Sequence, residues 1–300
     1  LALRRAGWRV EIAPEIEGSY EESPPTLDDL AARDRRWAQG NLQHLKLIGA
    51  RGFDPVSRAH ILAGVMGYAS ALLWFSLILV SATLAWIGTP SVAPANGGAD
   101  ISLLLLTALI VLSPKWLALI LWAMGRLPGW DRQPAFLAGL LVEAAVSAAT
   151  APIMMISQAQ AVVAPFLGRD AGWRPQARVA VAGASNGNRF APQLVAGLAL
   201  CATMIVSAGF AAWTLPVAAS LVLAAPISVA LAHAPRRRSW LWRVMATPED
   251  LRPPSIVSAA RRAANRFNWE MSTQPIRLPP TIATVSLSVQ RPEEARELPV

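Results

Sequence analysis

Residues 60–87 read HILAGVMGYASALLWFSLILVSATLAWI, a run without a single Asp, Glu, Lys or Arg. About twenty residues rising roughly 1.5 Å each cross a hydrocarbon core of roughly 30 Å, so the run predicts a membrane-spanning helix. Composition agrees, because 54% of the 300 residues are hydrophobic, 15% are charged and mean hydropathy is +0.38, outside the balance of a soluble domain. The net charge of +8 is mostly arginine, Lys46 and Lys115 being the two lysines. A lone Cys201 in an apolar run leaves no disulfide framework, and His44, His60 and His233 lack metal-ligand spacing. D-x-D, P-loop, G-x-S-x-G and H-E-x-x-H patterns are absent.

Downstream, residues 101–124 form a second predicted span, interrupted near its end by Pro114 and Lys115, and 195–213 and 215–233 a third and fourth joined by a very tight turn. The run 135–168 differs. As one helix it reaches about 50 Å, too long for one span and too short for two. Glu143, Ser147, Thr150, Ser157 and Gln158, with Met154 between them, recur at three and four residues and so share one face. That pattern predicts a helix lying in the interface plane, bent at Pro152.

Charge placement gives an independent reading. Residues 88–100 carry no Lys or Arg, whereas Arg126 and Arg132, then Arg169, Arg174, Arg178 and Arg189, then Arg236, Arg237 and Arg238 flank the other segments. Putting every arginine-bearing segment in the cytoplasm makes 135–168 begin and end on one side. The expected order is cytoplasmic residues 1–58, a membrane region 59–234 with about four spans plus one interfacial helix, and a basic, partly disordered cytoplasmic tail 235–300. Small residues at helical spacing, Gly64, Gly67 and Ser70, mark close helix packing.

The first 58 residues are polar. They hold a strand-like run WRVEIA (8–13), an acidic, Pro-broken loop EGSYEESPPT (17–26) read as a solvated turn, and a helix opened by Thr26 or Asp28. The start LALRRAGWRV lacks Met and a capping residue and reads as an N-terminal truncation within a helix.

Within that helix RDRRWAQGN (33–41) sets three arginines beside a tryptophan. The plainer reading is a juxtamembrane polybasic patch, where each Arg near anionic lipid contributes on the order of 1 kcal/mol. Helical spacing argues otherwise, since Arg33 and Arg36 share a face that Arg35 does not. A guanidinium fork binds phosphate oxygens bidentately and an indole face covers a pyranose, so Arg33, Arg36 and Trp37 are candidate substrate-binding residues. Glu143 is a candidate for facing a substrate channel, because a carboxylate near hydrocarbon is costly to keep.

The text ALRRAGWRVEIAPEIEGSYEESPPTLDDLAARDRRWAQGNLQHLKLI, followed by GFDPVSRAHILAGVMGYASALLWF, resembles the region after the catalytic core of the glucans biosynthesis glucosyltransferase H family. Those are bacterial inner-membrane enzymes of glycosyltransferase family 2 that build the backbone of osmoregulated periplasmic glucans. The chain is more distantly similar to cellulose synthase, which shares a Q-x-x-R-W motif on a helix entering the membrane. Arg36 and Trp37 match its Arg and Trp, and Arg33 stands where its Gln would be. The resemblance implies that Arg36 meets the donor diphosphate and Trp37 lies beneath the acceptor glucan end.

The implied fold is mainly α, with polytopic membrane helices preceded by the C-terminal remnant of a GT-A type α/β glycosyltransferase domain. By resemblance the metal-binding D-x-D and the catalytic aspartate lie upstream of Leu1, so no catalytic residue and no metal ligand is expected in this chain, and alone it would be inactive. The intact enzyme would use a divalent metal (Mg or Mn), UDP-glucose and a beta-glucan acceptor in an inverting, processive transfer. Membrane lipids, a periplasmic glucan-biosynthesis protein and acyl carrier protein are implied partners, and nucleic acid is not. The catalytic side and C-terminus would face the cytoplasm. A transporter or flippase-type membrane protein, or a non-catalytic scaffold, is the rival reading.

Overall fold

The computed structural model describes residues 2–273 apart from 14–15, 17–19, 22, 89–96, 128, 131–133, 173–186, 234 and 237–238. Expectations for the disorder of 274–300, for Glu17 and Glu22 of the acidic loop, for the segment 89–96, and for Arg132, Arg174, Arg178, Arg237 and Arg238 lie outside the described residues. Two compact units divide at residue 251. The first begins with a short helix α1 (Ala2–Arg5) and an irregular segment through residue 13.

The strand expected over WRVEIA is not formed, and no strand occurs among the described residues. Its alternating Trp8, Val10 and Ile12 are 68, 65 and 89% exposed. A strand exists by pairing with a neighbour, and among the described residues these have none to pair with.

Helix α2 (Leu27–His44) starts where the sequence placed it. Thr26 Oγ1 accepts from the Asp29 N–H at 3.1 Å, satisfying one of the orphan donors of the first turn. A 3-10 turn, Leu45–Leu47, leads to α3 (Pro55–Ile87), which contains the opening run. Asp54 caps α3 by accepting from Ser57 N–H at 2.9 Å, Pro55 occupies the first turn, and Gly88 at φ 71° ends it. Arg58 pins the loop before α3, donating to the carbonyls of Ile48, Ala50 (3.1 Å) and Phe53 (3.3 Å).

The region expected to form the second span is two helices, α4 (Gly97–Val111) and α5 (Ser113–Ala123), bent 66° apart. The interruption expected at Pro114 is the cause, because proline lacks the N–H and crowds the preceding turn.

Next comes α6 (Pro134–Phe166), one continuous helix that runs through Pro152. Like α3 it has 33 residues and is long and apolar enough to cross a membrane. Length alone does not separate a crossing helix from one lying in the interface. Its polar stripe meets protein groups: Glu143 pairs with Lys115, Ser157 accepts from Gln193 at 3.1 Å, and Gln158 donates to Asp34 at 2.9 Å.

The last apolar region departs from expectation. Helices α7 (Ala191–Val206), α8 (Ala208–Val222) and α9 (Ala224–Ala232) break at Ser207 and Leu223, the second break bending the chain by 64°. The turn predicted between 213 and 215 is absent. Thr214 lies inside α8, donating to the Phe210 carbonyl at 2.7 Å, and Pro216 is carried within the same helix. Ser207 makes the turn instead, extended at φ −140° with its Oγ accepting from Phe210 N–H at 3.3 Å. Short helices α10 (Trp240–Met245) and α11 (Pro248–Leu251) close the unit. The second unit contributes α12 (Ser255–Thr273), a helix the sequence reading of the tail missed.

The core joins α3, α6, α7 and α8 through Ala71 and Ile78, Met155 and Ile156, Leu200, and Ala218 and Leu221. Close packing is what associates helices in lipid, where apolar burial gives little drive. At Gly197 a Cβ would lie 2.9 Å from the Val222 nitrogen, so only glycine lets α7 and α8 approach this closely. Of the small residues on α3, Gly64 makes such a contact, against Asn41 of α2, while Gly67 faces open space.

Candidate functional site

Helix α2 is held on two edges. Asp34 is 7% exposed and accepts from Gln158 Nε2 at 2.9 Å, and Ala38 one turn on is fully buried. Those contacts turn Arg33, Arg36 and Trp37 outward. The Arg33 guanidinium sits 5.1 Å from the Trp37 ring centroid and pairs with Asp34 at 3.2 Å. Trp37 remains 57% exposed. Arg36 is half-buried and, among the described residues, has no hydrogen-bonded or ionic partner. The structure thus brings Arg33 and Trp37 into contact and leaves Arg36 on the same face with its fork unengaged. A planar cation can engage an anion bidentately, and an open indole beside it can stack on a sugar ring.

The opposite face of α2 carries Arg35 and Gln39, which line a cavity of about 630 Å³ bounded by α3, α6 and α7. Gln39 bridges to the segment after α6: its Nε2 donates to Asp170 at 2.7 Å and its Oε1 accepts from the Ala171 N–H at 2.7 Å. The Gln39 hydrogen bond, followed by the Gly172 backbone N–H, holds the Asp170 carboxyl below its ordinary 3.8. A depressed carboxyl stabilises the folded state above about pH 3.8, and that contribution is lost as pH falls through the lower folded value. Gln39→Ala is therefore expected to return the Asp170 titration toward 3.8, read by carboxyl-carbon NMR. An unmoved titration would show that the backbone donors suffice.

Glu143 is not gathered with the α2 residues. It pairs with Lys115 of α5 and accepts from Ser147 Oγ at 2.8 Å, so it joins two helices. Sequence reasoning passed over Asp34, Gln39 and Arg169. The one available signal was the four-residue spacing of Arg35 and Gln39. Among the described residues no group of three or more His, Cys, Asp or Glu side chains could hold a metal ion.

A family model described as glycosyl transferase family group 2 matches residues 1–129. Over that part the chain is similar to glycosyltransferases of that group, and two of its helices are long and apolar enough to cross a membrane. Three curated relatives are each a glucans biosynthesis glucosyltransferase H. That of Rhodopseudomonas palustris (strain TIE-1) is 39% identical over 290 residues, covering 88% of this chain and 39% of the relative. That of Caulobacter vibrioides (strain NA1000 / CB15N) is 36% identical over 288 residues, covering 87% and 43%. That of Vibrio cholerae serotype O1 (strain ATCC 39541 / Classical Ogawa 395 / O395) is 35% identical over 294 residues, covering 88% and 40%. The chain is thus similar to glucans biosynthesis glucosyltransferase H along most of its own length. It spans about two fifths of the length of the curated relatives it matches. No solved structure matches it.

Proposed function

We propose that this chain is the acceptor-handling and membrane part of a bacterial inner-membrane glucosyltransferase. The whole enzyme transfers glucose from UDP-glucose, with inversion, to the growing beta-glucan backbone of osmoregulated periplasmic glucans and helps pass that backbone across the membrane. Arg36 stabilises charge developing on the departing diphosphate, and Trp37 supports the acceptor sugar by stacking. The observation that carries this reading is the outward face of α2, where Arg33 sits 5.1 Å over Trp37 and Arg36 lacks a described partner. Exposed Trp8, Val10 and Ile12 suit packing against a sheet, in keeping with the remnant of an α/β catalytic domain. The test is glucose incorporation from UDP-glucose by full-length enzyme carrying Arg36→Lys. Unimpaired synthesis removes the role given to Arg36.

In the same proposal α3, the α4–α5 pair, α7 and the α8–α9 pair cross the membrane, and α6 lies in the cytoplasmic interface. Burying the polymer among helices spares its hydroxyls an unsatisfied passage through hydrocarbon. An interfacial α6 keeps Glu143 near water, so Lys115→Met is expected to lower stability by less than about 1 kcal/mol. A loss of about 3 kcal/mol or more, measured by reversible unfolding in bicelles, would place Glu143 in hydrocarbon and α6 across the membrane.

A further inference from the structure

The cavity beneath Arg35 does not end at its polar mouth. A second cavity of about 530 Å³ adjoins it along α3 and α7, and Phe75, Pro192 and Ala196 line both. The mouth carries Arg35 and Arg169, both exposed and without an ionic partner among the described residues, together with Asp170, whose carboxylate is already engaged by Gln39. Two cations against one anion leave the mouth net positive. The continuation is apolar, walled by Ile78, Leu79, Val195 and Leu200. Its one hydroxyl, Thr203 Oγ1, is already used, accepting from Trp86 Nε1 at 3.1 Å and donating to the Ala199 carbonyl at 3.0 Å.

We propose that these two adjoining cavities together bind one anionic phospholipid, its phosphate between Arg35 and Arg169 and an acyl chain along the α3–α7 groove. A glucan fits the groove poorly, because its hydroxyls would leave water without gaining partners. Free phosphate uses the mouth and nothing of the groove. The lipid source follows from position: the groove flanks a helix apolar enough to span, and Leu79 and Val195 on its rim are 49 and 66% exposed. Bound there, the lipid bridges α2, α3 and α7 from the side opposite Arg36 and Trp37. It acts as a fixed spacer under the helix that presents them.

The experiment is native mass spectrometry of the full-length protein in detergent, titrated separately with phosphatidylglycerol, phosphatidylcholine, inorganic phosphate and a short gluco-oligosaccharide. Phosphatidylglycerol is expected to be retained roughly tenfold more tightly than phosphatidylcholine, and the double variant Arg35→Ala, Arg169→Ala is expected to erase that preference. Ala196→Trp, which fills the shared wall and keeps both arginines, is expected to lower retention of the bound lipid while the protein keeps its helical circular dichroism. Equal retention of the two lipids, or an undiminished preference in the double variant, would overturn the proposal. So would phosphate binding as tightly as phosphatidylglycerol, or oligosaccharide binding that Ala196→Trp abolishes. None of these outcomes depends on Arg36, so the lipid site stands or falls apart from the glucosyltransferase reading.

Discussion

Full-length enzyme carrying Arg36→Lys is expected to lose about 10²-fold in kcat for glucan synthesis, with a much smaller change in KM for UDP-glucose. The size follows from what the residue is asked to do. Removing one donor aimed at charge that develops in the transition state costs roughly 10² to 10³ in rate. Lysine keeps the charge but as a strongly hydrated point, without the planar fork that engages two phosphate oxygens together. An interaction realised mainly as the diphosphate departs lowers kcat and kcat/KM together, whereas uniform binding of the donor raises KM alone. Initial-rate measurements with labelled UDP-glucose separate the two. The same variant separates the glucosyltransferase from a transporter whose RDRRW only touches lipid. A lipid patch reads positive charge and would be indifferent to the exchange.

The long apolar helix α3 was legible because a charge-free run as long as 60–87 favours an uninterrupted helix, and the helix ends at Gly88 beside it. The break at Pro114 was legible for the same local reason, a residue that cannot continue the ladder. The turn at Ser207 was not. A serine between apolar runs also sits comfortably inside a helix by bonding back to a carbonyl, as Ser81 does to Leu77 at 2.8 Å, whereas Leu215–Pro216 looks like a stop. In a bundle a proline is tolerated, and α8 carries it. WRVEIA had the strand period without a sheet to join. Helix α12 was hidden by the prolines on either side, although Ile256, Ala260, Ala263 and Phe267 recur on one face opposite Arg261. For the site, helical spacing sorted Arg33, Arg36 and Trp37 onto one face. The contacts that aim that face join residues 124 and 131 positions apart, Asp34 with Gln158 and Gln39 with Asp170, and no spacing rule links such pairs.

Asp34→Ala is expected to be the most destabilising single substitution on α2, by about 2–4 kcal/mol. The carboxylate is 7% exposed and serves two partners: the Gln158 amide at 2.9 Å and the Arg33 guanidinium at 3.2 Å. Removing it leaves the half-buried Gln158 amide without its acceptor and Arg33 to the Trp37 ring alone, and a donor left unsatisfied away from water costs more than a hydrogen bond contributes. Asp34→Asn should recover most of the loss, since an amide oxygen still accepts from Gln158, but leave Arg33 without its counter-ion. A double-mutant cycle of Asp34→Ala with Gln158→Ala, followed by reversible unfolding in bicelles, isolates the contact. A coupling of about 1 kcal/mol or more is expected, and additive losses would show that the pair carries nothing. Glucan synthesis supplies the second readout. Gln158 belongs to α6 and touches the Arg33–Trp37 pair only through Asp34, so a fall in kcat for Gln158→Ala reaches the reaction through Asp34 and the orientation of α2. Full activity in that variant would mean that the Arg36 face is positioned without α6.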